Sequence, residues 1–185
     1  MHHDATAEHL LSIRPATAQD NITALTQLLH RAYQRLGNMG LRYMAVDQTE
    51  AVTQERMAQG TCLLAFYQGS LCGTILLRNA QQTHGCTWYN QPQVASIGQF
   101  AVDPDLQAQG IGWRLMQAAE QLARESGAKE LALDTAEQAE HLVGWYQRLG
   151  YRFIETVQWG HTNYRSVILS LELAEDDTSA QTEKL

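Results

Sequence analysis

The run Val94-Ala95-Ser96-Ile97-Gly98-Gln99-Phe100-Ala101-Val102 constrains the fold more than any other part of the chain. A nearly unbroken apolar run of this length reads as a central strand covered on both faces. Asp103-Pro104 ends it, because proline has no N–H to give the ladder. Gln107-Ala108-Gln109-Gly110-Ile111-Gly112 follows, and then Ile111, Leu115, Ala118, Ala119 and Leu122 at helical steps of three and four. A strand over 94–102, a glycine-containing loop and a helix over about 110–125 are therefore expected in direct succession.

Such a junction gathers backbone N–H groups and the positive end of a helix dipole at one place, which stabilises an anion. Glycine lets the backbone approach that anion without a Cβ in the way. The two glycines alone also fit an ordinary turn. The loop is not a Walker loop, since no Gly-Lys-Ser/Thr follows Gly110, and a dinucleotide fingerprint would need a glycine where Leu115 stands.

The flanking sequence places the junction in a mixed sheet. Ser12–Thr17 reads as a short strand leading into a helix start. Ile22, Leu25, Leu28, Leu29, Ala32 and Tyr33 mark a helix broken by Gly37 and Gly40, and a second helix is expected over 49–58. Thr61–Tyr67 and Leu71–Leu77 form a hairpin around Gln68-Gly69-Ser70. The polar stretch 79–92 is a long loop of functional interest. Beyond the junction come a strand at 130–134, a helix over about 137–149 and strands at 151–157 and 164–171, with Asp134-Thr135-Ala136-Glu137 reading as a helix cap. The expected fold class is α/β (α+β): a mixed, mostly antiparallel sheet with helices on both faces. Residues 1–174 make one domain and 175–185 an acidic tail without structure.

Composition narrows the partners. The 185 residues carry a net charge of −7, of which the tail from Glu175 contributes −3, four acids against one lysine. That balance argues against nucleic acid, which needs a basic face, and leans slightly toward a cationic small substrate. No apolar run approaches the roughly 20 residues of a membrane span. No basic, apolar leader opens the chain. Cys62, Cys72 and Cys86 are an odd number without a CxxC pair, and His2-His3 at a frayed end make no metal site. Reduced cysteines and a cytoplasmic protein without metal are expected.

Val102-x-Pro104-x-x-Gln107-x-x-Gly110-x-Gly112, with Trp145-Tyr146-Gln147-Arg148-Leu149-Gly150-Tyr151 downstream, resembles the GNAT-type N-acetyltransferase superfamily over about residues 60–165. The resemblance implies acetyl-CoA as cosubstrate. The amides of Gln107, Ala108, Gln109, Gly110, Ile111, Gly112 and Trp113 would hold its pyrophosphate. The backbone of Phe100, Ala101 and Val102 would pair with its pantetheine arm. Tyr146 would protonate the leaving thiolate, because a phenol near ~10 and a thiol near ~8.5 are close enough for useful transfer. The acceptor would be a small-molecule or peptide amine attacking directly, without a covalent enzyme intermediate. Homodimers are common in that superfamily.

Two positions depart from the superfamily pattern. The strand 94–102 offers Ser96 and Gln99 where many relatives place a glutamate base, and Ala139 stands near the usual asparagine. Asp134, Glu137, His141 and His161 are candidates for taking the amine proton through water, and none is assigned. Arg148 reads as a solvated helix-end residue and Trp145 as a helix-face aromatic packing on the sheet. Thr162–Ser166, the N-terminal helices and the 79–92 and 158–164 loops are candidates for the acceptor side. A non-catalytic acyl-CoA-binding or regulatory module is the alternative, favoured by the lack of an evident base.

Overall fold

The structure, a computed structural model, describes residues 10–174; His2-His3 and the acidic tail lie outside the described residues. The elements in chain order are β1 (Leu11–Pro15), α1 (Ile22–Asn38), α2 (Glu50–Met57), β2 (Thr61–Tyr67), β3 (Ser70–Arg78), β4 (Val94–Val102), α3 (Ile111–Glu125), β5 (Glu130–Ala136), α4 (Glu140–Arg148), β6 (Arg152–Val157) and β7 (Ser166–Glu172). The seven strands lie in the order β1-β2-β3-β4-β5-β7-β6. Neighbouring strands run antiparallel except β4 and β5, which are parallel.

Local chemistry sets most boundaries. Asn21 caps α1 by accepting from Ala24 N at 3.0 Å, and Thr49 caps α2 by accepting from Val52 N at 3.3 Å; each such cap contributes about 1 kcal/mol. Gln68 and Gly69 turn the β2–β3 hairpin with φ of 50° and 80°, the left-handed pair that matches strand twist. Two expectations around β5 are corrected. The strand runs on to Ala136 and α4 starts at Glu140, so Asp134 lies within β5 and caps nothing. β7 begins at Ser166, which leaves Tyr164 in the preceding loop.

Strand alternation divides the core. Leu63, Ala65, Ile75 and Leu77 face α3 and α4, joining Leu115, Met116, Ala119 and Tyr146 in one cluster. Cys62, Leu64 and Leu76 face α1 through Leu25, Leu28 and Leu29. On the far half of the sheet Tyr89, from the long 79–93 loop, packs on Val94, Ala132 and Ile168, with Trp88 and Trp159 alongside. That loop thus replaces a helix as the cover of the sheet there. Cys62, Cys72 and Cys86 are free, and burial pushes the Cys72 and Cys86 thiols up to about 11, so they behave as small apolar side chains. Among the described residues no helix is long and apolar enough to cross a membrane.

The β4–β5 pairing is short. Its register runs only from Val94↔Glu130 to Ser96↔Ala132. Beyond it, β4 stays with β3 as far as Val102↔Gly73, whereas β5 stays with β7 as far as Ala136↔Ser166. The departure coincides with a bulge: Thr74 faces Ala101 and Leu76 faces Gly98, so Gln99 and Phe100 share the single partner Ile75. A wedge opens in the middle of the sheet.

Leu115 is fully buried and its Cδ1 lies against the Cα of Gly73, locking α3 onto β3. Leu115→Ala is expected to cost about 2–5 kcal/mol, read as a lower urea midpoint at unchanged slope.

Candidate active site

The bulge is held from outside the strand. Gln99 has a φ of 45°, a left-handed conformation costing a side-chain-bearing residue about 1–2 kcal/mol. Its buried Oε1 accepts from Gln48 Nε2 at 2.9 Å. Gln48 also donates to Thr53 Oγ1 and accepts from Arg56 Nη1, both at 2.8 Å, and Thr26 donates to Thr53 at 2.8 Å. This polar network fastens β4 to α1 and α2.

Two cavities meet at the wedge. The first, about 350 Å³, runs between Phe100–Val102, the loop Leu106–Ala108 and the start of α3 on one side, and Leu142, Trp145 and Tyr146 on the other. Here Gly110 caps α3 with φ of 80°, and Ala108 is also left-handed at 63°. The first helical bond runs from Arg114 N to Gly110 O, so the amides of Ile111, Gly112 and Trp113 have no acceptor within the helix. Residues 107–110 are exposed. Gln107 Nε2 donates to Val102 O at 3.3 Å, tying the loop back to the strand it leaves.

The two glycines do different work. A Cβ on Gly110 would meet nothing within 4 Å, so that position is conformational. A Cβ on Gly112 would stand 3.2 Å from Phe100 Cζ, so that position lets the helix sit close on β4. Phe100 in turn stacks on Trp145 at 5.7 Å between ring centroids, and Tyr146 lies 6.5 Å away, tilted. Trp145 therefore packs on the sheet as expected and also lines the cavity.

The second cavity, about 660 Å³, lies on the other side of the wedge. Its walls include Arg56, Arg78, His84, Tyr89, Trp159, His161 and Tyr164. Both cavities touch Tyr33, Tyr43, Phe100, Asp134 and Tyr146. Tyr146 is 7% exposed, and among the described residues its hydroxyl has no hydrogen-bond partner. Burial raises its phenol well above the ordinary range, with nearby Tyr33, Tyr43 and Asp134 adding to the shift. Asp134 accepts from Trp159 Nε1 and Ser166 Oγ at 3.0 Å and from Tyr89 Oη at 3.2 Å, while remaining accessible from the cavity.

Of the four proton-acceptor candidates, Asp134 and His161 line the cavity. Glu137 instead pairs with Arg165 at 2.8 Å, and His141 sits on α4 away from both cavities. Arg148 is exposed at the end of α4, as expected. Ala139 is fully buried beside Tyr164, Leu36 and Leu41 and contacts neither cavity. The sequence reading did not pick out Tyr33, Tyr43, Tyr89, Arg56, Arg78 and His84. One signal for them existed: seven tyrosines against three phenylalanines, and five of the seven line the larger cavity.

A sequence model of the acetyltransferase (GNAT) family matches residues 22–151. The chain belongs to that family. It is accordingly an acetyltransferase, moving an acyl group from acetyl-CoA to an amine, and the non-catalytic alternative falls away. A relative from Bacillus subtilis (strain 168), S-(2-succino)cysteine N-acetyltransferase, is 30% identical over 132 residues, covering 69% of this chain and 76% of the relative. The fold matches Ard1 of Thermoplasma volcanium with a TM-score of 0.69 at 17% identity, over 90% of this chain and 99% of that one. It also matches a GNAT family acetyltransferase of Elizabethkingia anophelis crystallised with acetyl-CoA, with a TM-score of 0.63 at 21% identity, over 88% and 98%.

Gly110→Ala is expected to cost about 1–2 kcal/mol through backbone conformation alone, and Gly110→Asn to recover most of it, since asparagine tolerates the left-handed region. Urea unfolding of both variants measures this.

Proposed function

We propose that the enzyme transfers acetyl from acetyl-CoA to a small amine by direct attack, with Tyr146 returning a proton to sulfur. The observation that carries this reading is the wedge itself: a donor-side cavity and an acceptor-side cavity share Tyr33, Tyr43, Phe100, Asp134 and Tyr146. The free amides of Ile111–Trp113 and the left-handed Ala108 and Gly110 suit a pyrophosphate, because they present N–H groups at the positive end of α3. Gln107 and Gln109 complete that loop. The edge of β4 that β5 leaves unpaired, over Phe100, Ala101 and Val102, suits an extended amide-bearing arm.

In this reading the amine enters from the larger cavity and attacks the acetyl carbonyl within the wedge. Backbone N–H groups of β4 polarise that carbonyl. As the new C–N bond forms, the nitrogen's proton leaves toward Asp134 and water in the acceptor cavity. As the C–S bond breaks, Tyr146 gives its hydroxyl proton to sulfur and later recovers one from solvent. The raised phenol holds its proton until the thiolate develops, and as a weaker acid than an ordinary phenol it gives that proton up less readily.

Mixing the protein with acetyl-CoA and a broad panel of amines, and following free thiol, tests the activity; no turnover with any amine would overturn it. Tyr146→Phe should lower kcat about 10²- to 10⁴-fold, the ordinary worth of a positioned general acid, with the acetyl-CoA KM within a factor of about three. Because the phenol is raised, the wild-type kcat should show no fall from Tyr146 ionisation as pH approaches 10. Asp134→Asn should lower kcat/KM for the amine by at least about tenfold while acetyl-CoA affinity, measured by calorimetry, holds.

A further inference from the structure

We infer that Arg56 and Arg78 form a carboxylate clamp in the acceptor cavity, so that the amine acetylated is one that carries acidic groups. The inference rests on the proposed transfer reaction for the word acceptor, and on the geometry of the cavity for the rest.

Arg56 stands on α2 and Arg78 ends β3, and both line the 660 Å³ cavity. The Arg78 guanidinium lies over Gly98, where a Cβ would come within 3.2 Å of Nη1. A side chain there would push the guanidinium aside by a few tenths of an ångström, so Gly98 lets this cation lie close on the strand. Arg78 Nη2 donates to Gln59 Oε1 at 3.2 Å, and Arg56 Nη1 donates to Gln48 Oε1 at 2.8 Å. Both partners are neutral. Among the described residues neither arginine forms an ion pair, and their remaining N–H groups have no protein acceptor. Each guanidinium is half-buried, and burial is the leading influence lowering both pKa values; the Arg78 charge lowers Arg56 further, while Tyr33 and Asp134 act against the shift at Arg56 and Tyr89 and Asp134 against it at Arg78.

Two partly desolvated cations that repel each other across a cavity are costly unless an anion joins them. His84 and His161 stand on the same walls, and Asp134 is the one carboxylate among the described lining residues. The cavity therefore runs against the chain's net charge of −7 and against the cationic acceptor that this charge suggested. Asp134 lines both cavities, where an ammonium must arrive, whereas Arg56 and Arg78 line only the larger one. A planar guanidinium fork matches a carboxylate in two parallel bonds. Gln48 ties this clamp to the reaction centre, since the same side chain bonds both Arg56 and the bulge residue Gln99.

The test compares aspartate, glutamate and S-(2-succino)cysteine with asparagine, glutamine and spermidine as acceptors for the full-length protein, following thiol release. The best acidic amine should exceed its amide counterpart in kcat/KM by at least about tenfold, the worth of one charge-assisted bond. Arg56→Gln and Arg78→Gln should collapse that ratio toward one, and Arg56→Lys and Arg78→Lys should retain part of it. A preference for spermidine or the amides, or a ratio unchanged in both glutamine variants, would overturn the clamp. A second arm needs no catalysis. Succinate should raise the melting temperature of the wild type and not of the glutamine variants. No succinate shift, or an equal shift in the wild type and both glutamine variants, would also overturn it. If succinate binds as expected but no amine releases thiol, the transfer reading fails and the clamp stands.

Discussion

Gln48 Nε2 donates to Gln99 Oε1 inside the protein, and this one buried bond stands behind most of the site. It holds Gln99 in a left-handed conformation that the residue would not otherwise favour, and thereby maintains the bulge. The bulge turns the second half of β4 away from β5, which is already committed to β7 through seven paired residues. The gap closes only if the bulge is lost, because the bulge is what turns β4 away from β5. The sheet therefore keeps a wedge at its centre, lined by unpaired backbone on the β4 side and by aromatic side chains from α1 and α4. An enzyme that must bring an extended thioester arm and an amine together gains an opening fixed by covalent neighbours and buried hydrogen bonds. It does not need a mobile loop to create it.

Charge is distributed by the same logic of local structure over net composition. In the proposed reading the donor end of the wedge relies on backbone amides and a helix terminus, which suit an anion in an acidic protein without a lysine or arginine in the loop. The proposed acceptor end relies on formal charges set in a concave, partly desolvated place where screening is weak. A net charge of −7 is a statement about the outer surface and predicts little about a cavity of this kind.

The donor side of the site was legible in the sequence because its residues are consecutive. Val94–Val102, Pro104, Gln107, Gly110 and Gly112 form one local strand–loop–helix: Val94–Val102 make β4, Pro104 opens the turn after it, and Gln107, Gly110 and Gly112 line the smaller cavity. Tyr146 was reachable from its neighbours Gly150 and Tyr151 by the same local pattern. The larger cavity was legible only in part: the 79–92 and 158–164 loops do bring His84, Tyr89, Trp159, His161 and Tyr164 to it, but Tyr33, Tyr43, Arg56 and Arg78 come from separate segments and share no spacing. Gln99 stood out in the sequence only as a side chain that cannot act as a base; its place in the bulge depends on Gln48, fifty-one positions away. The misplaced start of α4 has a local cause. Asp134 and Glu137 fit a cap by residue type, but tertiary pairing with β7 extends β5 through Ala136 and hands Asp134 to Tyr89, Trp159 and Ser166 instead.

The absence of a carboxylate on β4 itself also finds its place in this arrangement. In direct acyl transfer the nitrogen loses one proton and the sulfur gains one, so the site needs a sink and a source and no net store of protons. Asp134 and Tyr146 both stand where the two cavities meet, on neighbouring elements β5 and α4. Asp134 is open to the acceptor cavity, where a proton can pass to water, and Tyr146 is enclosed by Phe100, Trp145 and Tyr151, where its own proton is kept. A glutamate at position 99 would still accept from Gln48 Nε2, and would set a negative charge beside the glutamine that also holds Arg56. In the proposed reading a neutral Gln99 leaves Arg56 to an acidic acceptor, and the amine proton leaves toward Asp134 on β5 instead.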